Sequence, residues 1–102
     1  MIFRDYHNQF YYFSKSVTLE TVQLMFQGGF VGIECDIILM EGQDQTIVQT
    51  IFPEDINDLQ TFTLKEPVSI SPTSKLEFKF KHSSDFYGRV TVYMINFGGR
   101  PE

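Results

Sequence analysis

Apolar and polar side chains alternate along most of this chain, and the alternation defines its elements. The cleanest run is residues 75–81, where Leu76, Phe78 and Phe80 face one way and Lys75, Glu77, Lys79 and Lys81 face the other. A period of two belongs to a strand with one face buried. Residues 30–40 give the strongest strand signal. There Val31, Ile33, Cys35, Ile37 and Leu39 alternate with Gly32, Glu34, Asp36, Ile38 and Met40. The second half of this run is apolar on both faces, as for a strand entering a core or an interface. A polar loop over residues 41–45 and a returning strand over 46–52 complete a hairpin. The last strand spans residues 89–97, with Val90, Val92 and Met94 opposed to Thr91, Tyr93 and Ile95.

Elsewhere the alternation breaks. In residues 16–26, Val17 and Leu19 share one parity, whereas Val22, Leu24 and Phe26 share the other. Either a bulge lies near Glu20-Thr21 or the chain passes there from one strand to the next. Gln27-Gly28-Gly29 supplies a turn, and residues 53–59 form a loop with at most one helical turn. Residues 60–65 read as a strand that Glu66-Pro67 breaks before a short strand over 68–70. Ser71-Pro72-Thr73-Ser74 is a turn, and His82 opens a loop ending near Gly88. Residues 1–14 hold Phe3, Tyr6, Phe10, Tyr11, Tyr12 and Phe13 with neither clean alternation nor a helical stripe. They read as an extended arm followed by a short strand over 10–13. Turn signals recur about every eight to twelve residues, the spacing of an antiparallel sandwich or barrel. The expected fold is all-β: an antiparallel β-sandwich of jelly-roll type with about eight strands. Residues 1–14 form an arm or edge strand, 15–97 the sandwich, and 98–102 a frayed tail.

Composition strengthens the β reading. The 102 residues include no alanine, the best helix former, and aromatics reach 16%. A formal net charge of −5 gives no counterion-release energy on a phosphate backbone, so nucleic acid is not an expected partner. Cys35 is the one cysteine. No intrachain disulfide can form, which tilts the chain toward a reducing compartment. No apolar run reaches the roughly 18 residues of a membrane helix. Arg4 and Asp5 interrupt the first aromatic residues, unlike a signal peptide.

The order of segments over residues 16–81 resembles the galactose-binding-like jelly rolls, which occur as carbohydrate-binding modules and in phage virion accessory proteins. The residues that carry the resemblance are Val17-Thr18-Leu19 with Val22-Gln23-Leu24, the central strand from Val31 to Ile37, and Thr61-Phe62-Thr63-Leu64 with Pro67-Val68-Ser69-Ile70. Lys75-Leu76-Glu77-Phe78 follows them. The resemblance implies a jelly-roll fold and a non-catalytic role. Sugar-binding members place Trp or Tyr platforms on a concave face or loop tip. This chain has no Trp, and Asp85, Phe86 and Tyr87 form the nearest candidate ligand loop.

Candidate chemistry is sparse. Glu41 with Asp44, and Glu54, Asp55 and Asp58, could offer oxygen ligands to calcium, but neither set has EF-hand spacing and solvated loops explain both. Glu34, Asp36 and Glu77 could pair as glycosidase carboxylates, yet any two same-face acids on a strand do so. Cys35 lies on the apolar parity of its strand, as a small hydrophobe does. His7 and His82 have no short ligand spacing. Lys75, Lys79 and Lys81 suit an outward face that guards against mispairing. No enzyme, metal or cofactor is expected.

The arm weighs most. Six aromatics within thirteen residues are a liability unless they fold back or dock on another subunit, and outward Ile38, Met40, Tyr93 and Ile95 would add a second adhesive surface. The expected function is therefore a non-enzymatic assembly protein with protein partners, either copies of itself as a homo-oligomer or virion subunits, and no membrane partner. The resemblance makes it a phage capsid decoration, cement or connector subunit located in the virion. The alternative is a carbohydrate-binding module using the loop at Tyr87.

Overall fold

Leu76, Phe78 and Phe80 are sealed from solvent on one face of a strand, as their alternation requires. That strand belongs to a computed structural model that describes residues 8–102. Seven strands follow in chain order: β1 (Asn8–Tyr11), β2 (Val17–Phe26), β3 (Gly32–Glu41), β4 (Asp44–Ile51), β5 (Gln60–Ile70), β6 (Lys75–Ser83) and β7 (Val92–Pro101). They form two antiparallel sheets, β1-β6-β3-β4 and β5-β2-β7. Every connection except the β3–β4 hairpin crosses from one sheet to the other. The chain is thus an all-β sandwich, and its core lies between the inner faces.

Leu19, Val22, Leu24 and Phe26 from β2 meet Cys35, Ile37 and Leu39 from β3 and the three apolar residues of β6 in that core. Each such side chain contributes about 1.5–3 kcal/mol by leaving water. The parity change in β2 is a bulge within one continuous strand. Leu19 pairs Gly99 and Thr21 pairs Gly98, which leaves Glu20 as the extra residue. Both sides of the bulge can therefore face the same core.

Several sequence expectations are corrected. The first strand is Asn8–Tyr11 rather than residues 10–13. Glu66-Pro67 does not end a strand: β5 runs through it, with residues 64–67 standing against the single Glu20. Pro67 is tolerated because β5 is an edge strand and the register is already broken there. This merger leaves seven strands among the described residues. The polar hairpin loop shrinks to Gly42-Gln43, with Glu41 paired to Asp44 and Gly42 at a φ of 62° that favours glycine.

The supposed tail, residues 98–102, is mostly β7, paired with Val17, Thr18 and Leu19. Gly99 permits this approach, since a Cβ there would lie 2.0 Å from the Thr18 carbonyl oxygen. Glu102 completes the closure by accepting hydrogen bonds from Thr18 and Ser69 hydroxyls at 2.6 and 3.0 Å. A second bulge, at Tyr93, reverses the parity expected for β7. Val92, Ile95 and Phe97 pack on the core, while Tyr93 and Met94 face solvent. Ile38 is also buried. The second adhesive surface expected from Ile38, Met40, Tyr93 and Ile95 is therefore not formed.

Candidate functional site

Three connections share one end of the sandwich: the β2–β3 turn, the β4–β5 loop and the β6–β7 loop. Antiparallel pairing sets this, because the strands feeding these connections all end on the same side. The β2–β3 turn ties the other two together. Gly28 N–H donates to Asn57 Oδ1 at 2.5 Å and Gly29 N–H to Asp55 Oδ1 at 2.8 Å. On the other side, Ser84 N–H donates to the Val31 carbonyl at 2.9 Å, and Thr91 N–H to that of Phe30 at 2.9 Å.

The β6–β7 loop is rigidly braced. Arg89 grips Asp85 in a fork, with Nε to Oδ2 at 2.7 Å and Nη2 to Oδ1 at 3.0 Å, and its own backbone N–H also donates to Oδ2. Such bidentate, charge-assisted pairs are the strong ones. The hydrogen bonds from Arg89 hold the Asp85 carboxyl down to about 2. Ser83 Oγ accepts from Asp85 N–H and donates to the Arg89 carbonyl, while Gly88 turns the chain at a φ of 81°. The guanidinium also lies 4.8 Å over the Phe30 ring and 5.5 Å over that of Tyr87. Held at the tip, Phe86 is 92% exposed and Tyr87 74%. Their rings meet edge to face, 5.1 Å apart at 86°.

The sequence-predicted ligand loop thus resolves into a brace, Asp85, and two displayed aromatics, Phe86 and Tyr87. The arm divides differently. Phe3, Tyr6 and His7 lie outside the described residues. Tyr11 and Phe13 turn inward onto Phe97, with centroids 5.3 and 5.1 Å away, and Tyr11 also meets Phe78 at 5.8 Å. Burial pushes the Tyr11 phenol up. Phe10 and Tyr12 stay exposed, with the Lys75 ammonium 4.7 Å over the Phe10 ring.

The acidic candidates serve the outer face of the first sheet. Lys81 lies 3.2 Å from Glu34 and 3.6 Å from Asp36, whose Oδ1 also accepts from the Thr50 hydroxyl at 2.7 Å. His82 Nε2 sits 3.6 Å from Glu34. Glu77 is buried in the same sheet, paired on either side with Phe10 and Ile38. Lys79 is exposed. No three His, Cys, Asp or Glu among the described residues gather as metal ligands do. Glu41 and Asp44 flank the β3–β4 turn, far along the strands from Glu54, Asp55 and Asp58. Cys35 is fully buried, and burial, with Asp36 and Glu77 adding to it, pushes its thiol strongly up and away from nucleophilic use. A groove of about 310 Å³ beside Phe13, Val17, Phe97 and Gly98 opens toward solvent.

Sequence reasoning missed Phe52 and Leu59, which bracket the β4–β5 loop and stand 66% and 44% exposed. It also missed the Asp85–Arg89 brace. Its signal was present as an acid and a base four residues apart around a glycine.

No family model and no solved structure matches this chain. It is similar to proteins named nuclear receptor 2C2-associated protein. That of Xenopus tropicalis is 38% identical over 88 residues, covering 82% of this chain and 60% of the relative. That of Danio rerio is 36% identical over 95 residues, covering 88% and 62%. That of Homo sapiens is 32% identical over 88 residues, covering 81% and 58%. The chain therefore spans about 60% of the length of the curated relatives it matches. These relatives are animal proteins named for association with a nuclear receptor. They overturn the expectation of a phage capsid decoration, cement or connector subunit, and with it the virion location.

Proposed function

We propose that this chain is a protein-interaction domain that works by binding rather than catalysis, with the β6–β7 tip as its contact surface. One observation carries the reading: two large aromatics stand in solvent on a loop that a forked ion pair holds rigid. Displayed, pre-ordered aromatics lose little entropy on docking and are the usual anchors of interfaces. The relatives' name supports a protein as the partner, and nuclear receptor 2C2 is the partner this reading assigns. The pairing of Glu34 and Asp36 with Lys81, and the burial of Cys35, support a non-catalytic role. The rings of Phe86 and Tyr87 stand perpendicular and so form no shared plane across which a sugar could stack.

The test is binding of the purified chain to immobilised nuclear receptor 2C2. Replacing Phe86→Ser and Tyr87→Ser together should weaken binding by at least about tenfold, since anchors of this kind contribute 2 kcal/mol or more. The circular dichroism spectrum should stay unchanged. Absent binding, or binding indifferent to the double substitution, rejects the reading.

A further inference from the structure

The charges around the displayed aromatics restrict what can dock on them. The connections at this end, residues 27–31, 52–59 and 84–91, contain the acids Glu54, Asp55, Asp58 and Asp85 against one base, Arg89. Asp85 and Arg89 neutralise each other, and Asp55 is engaged by the Gly29 amide. Glu54 and Asp58 are exposed, and no ion pair among the described residues uses either carboxylate. Between exposed Phe52 and Leu59, they form an apolar–acidic–apolar stretch.

This stretch and the Phe86–Tyr87 tip share one surface. Ten-residue strands run about 33 Å, so the 40 Å axis of the molecule lies along them. The end face then measures at most 27 × 21 Å. The β2–β3 turn, bonded to both loops, lies between them on this face.

We infer that the partner segment recognised here is apolar and basic: a hydrophobic anchor that seats against Phe86 and Tyr87, flanked by lysine or arginine that faces Glu54 and Asp58. The inference rests on the loop end being the protein-binding surface. An acidic segment would meet two uncompensated carboxylates at the moment of desolvation, and like-charge juxtaposition at an interface is strongly unfavourable. A basic one is drawn in along the field and gains association rate.

The probe is nuclear receptor 2C2, with association and dissociation rates measured at low and high salt for three forms. These are the natural chain, Glu54→Gln/Asp58→Asn, and Phe86→Ser/Tyr87→Ser. The natural chain should associate faster at low salt, by about tenfold, and lose that advantage as salt shortens the screening length. The Glu54→Gln/Asp58→Asn form should associate slowly at both salt levels with an unchanged fold. Binding that needs Phe86 and Tyr87 but ignores both salt and the two acids overturns this inference and leaves the binding surface standing. So does binding that strengthens when the acids are neutralised. Binding that ignores Phe86 and Tyr87 overturns both together.

Discussion

Two aromatic clusters in this molecule look alike in sequence and do opposite things. Tyr11 and Phe13 interlock with Phe97, and Phe78 joins them at 5.8 Å from Tyr11 and 6.0 Å from Phe97, all edge to face. Phe86 and Tyr87 make the same edge-to-face contact with each other, but in solvent. In the first cluster three chain segments supply four rings, so packing absorbs them. In the second a loop braced by Asp85 and Arg89 holds two rings in solvent, where the Arg89 guanidinium over Tyr87 leaves both rings largely uncovered. Aromatic density marks adhesive potential, and the route of the backbone decides whether the fold consumes it.

The contrast can be broken first at the buried cluster. Phe78 is fully buried, so Phe78→Ala should cost about 3–5 kcal/mol of stability, read as a lowered urea midpoint. A loss below about 1 kcal/mol would mean that the rings do not pack as one unit.

The brace of the displayed cluster responds to acid. Asp85 moves from an ordinary 3.8 down to about 2 when folded. A carboxylate depressed in this way supports the folded loop fully above about pH 4. The support is lost as pH falls through about 2. The amide signals of Gly88 and Arg89 should broaden or shift across that window. Asp85→Asn should remove the transition, and a transition that persists would assign it elsewhere.

The smallest effect is expected at the tip itself. Phe86→Ser should change unfolding stability by no more than about 0.5 kcal/mol, as for surface sites without buried contacts. Equilibrium denaturation of the two forms checks this. A clear loss would show that Phe86 is packed, and the contrast between the clusters would collapse.

Much of the fold was legible in the residues. The alternation of Leu76, Phe78 and Phe80 fixed which face of β6 is buried, and the parity change at Glu20-Thr21 marked an irregularity that the structure resolves as a bulge rather than a passage between strands. Errors arose where one strand corrects another. Pro67 reads as a breaker in isolation, but it is harmless on an edge opposite an existing bulge. Gly98-Gly99 reads as a frayed end, but close approach to Thr18 and Thr21 needs glycine there. The β7 parity was lost at Tyr93 because no local pattern announces that bulge.

The site was legible only in its parts. Asp85, Phe86 and Tyr87 stood out in the chain, but the weight placed on the first aromatics was misplaced for Tyr11 and Phe13. The animal relatives replaced the virion setting that a likeness of strand order had suggested.

By itself the sequence determined an all-β chain, because the absence of alanine and a period-two apolar pattern leave a half-buried strand as the favoured local state. It also determined the hidden face of β6, where Leu76, Phe78 and Phe80 alternate with charge. Only the tertiary structure decided which aromatics fill the core and which are displayed. That choice depends on contacts between residues far apart in the chain, such as Tyr11 with Phe97 and the β2–β3 turn with both flanking loops. The energy of burial is set by what stands opposite a ring in space, and no local pattern carries that information.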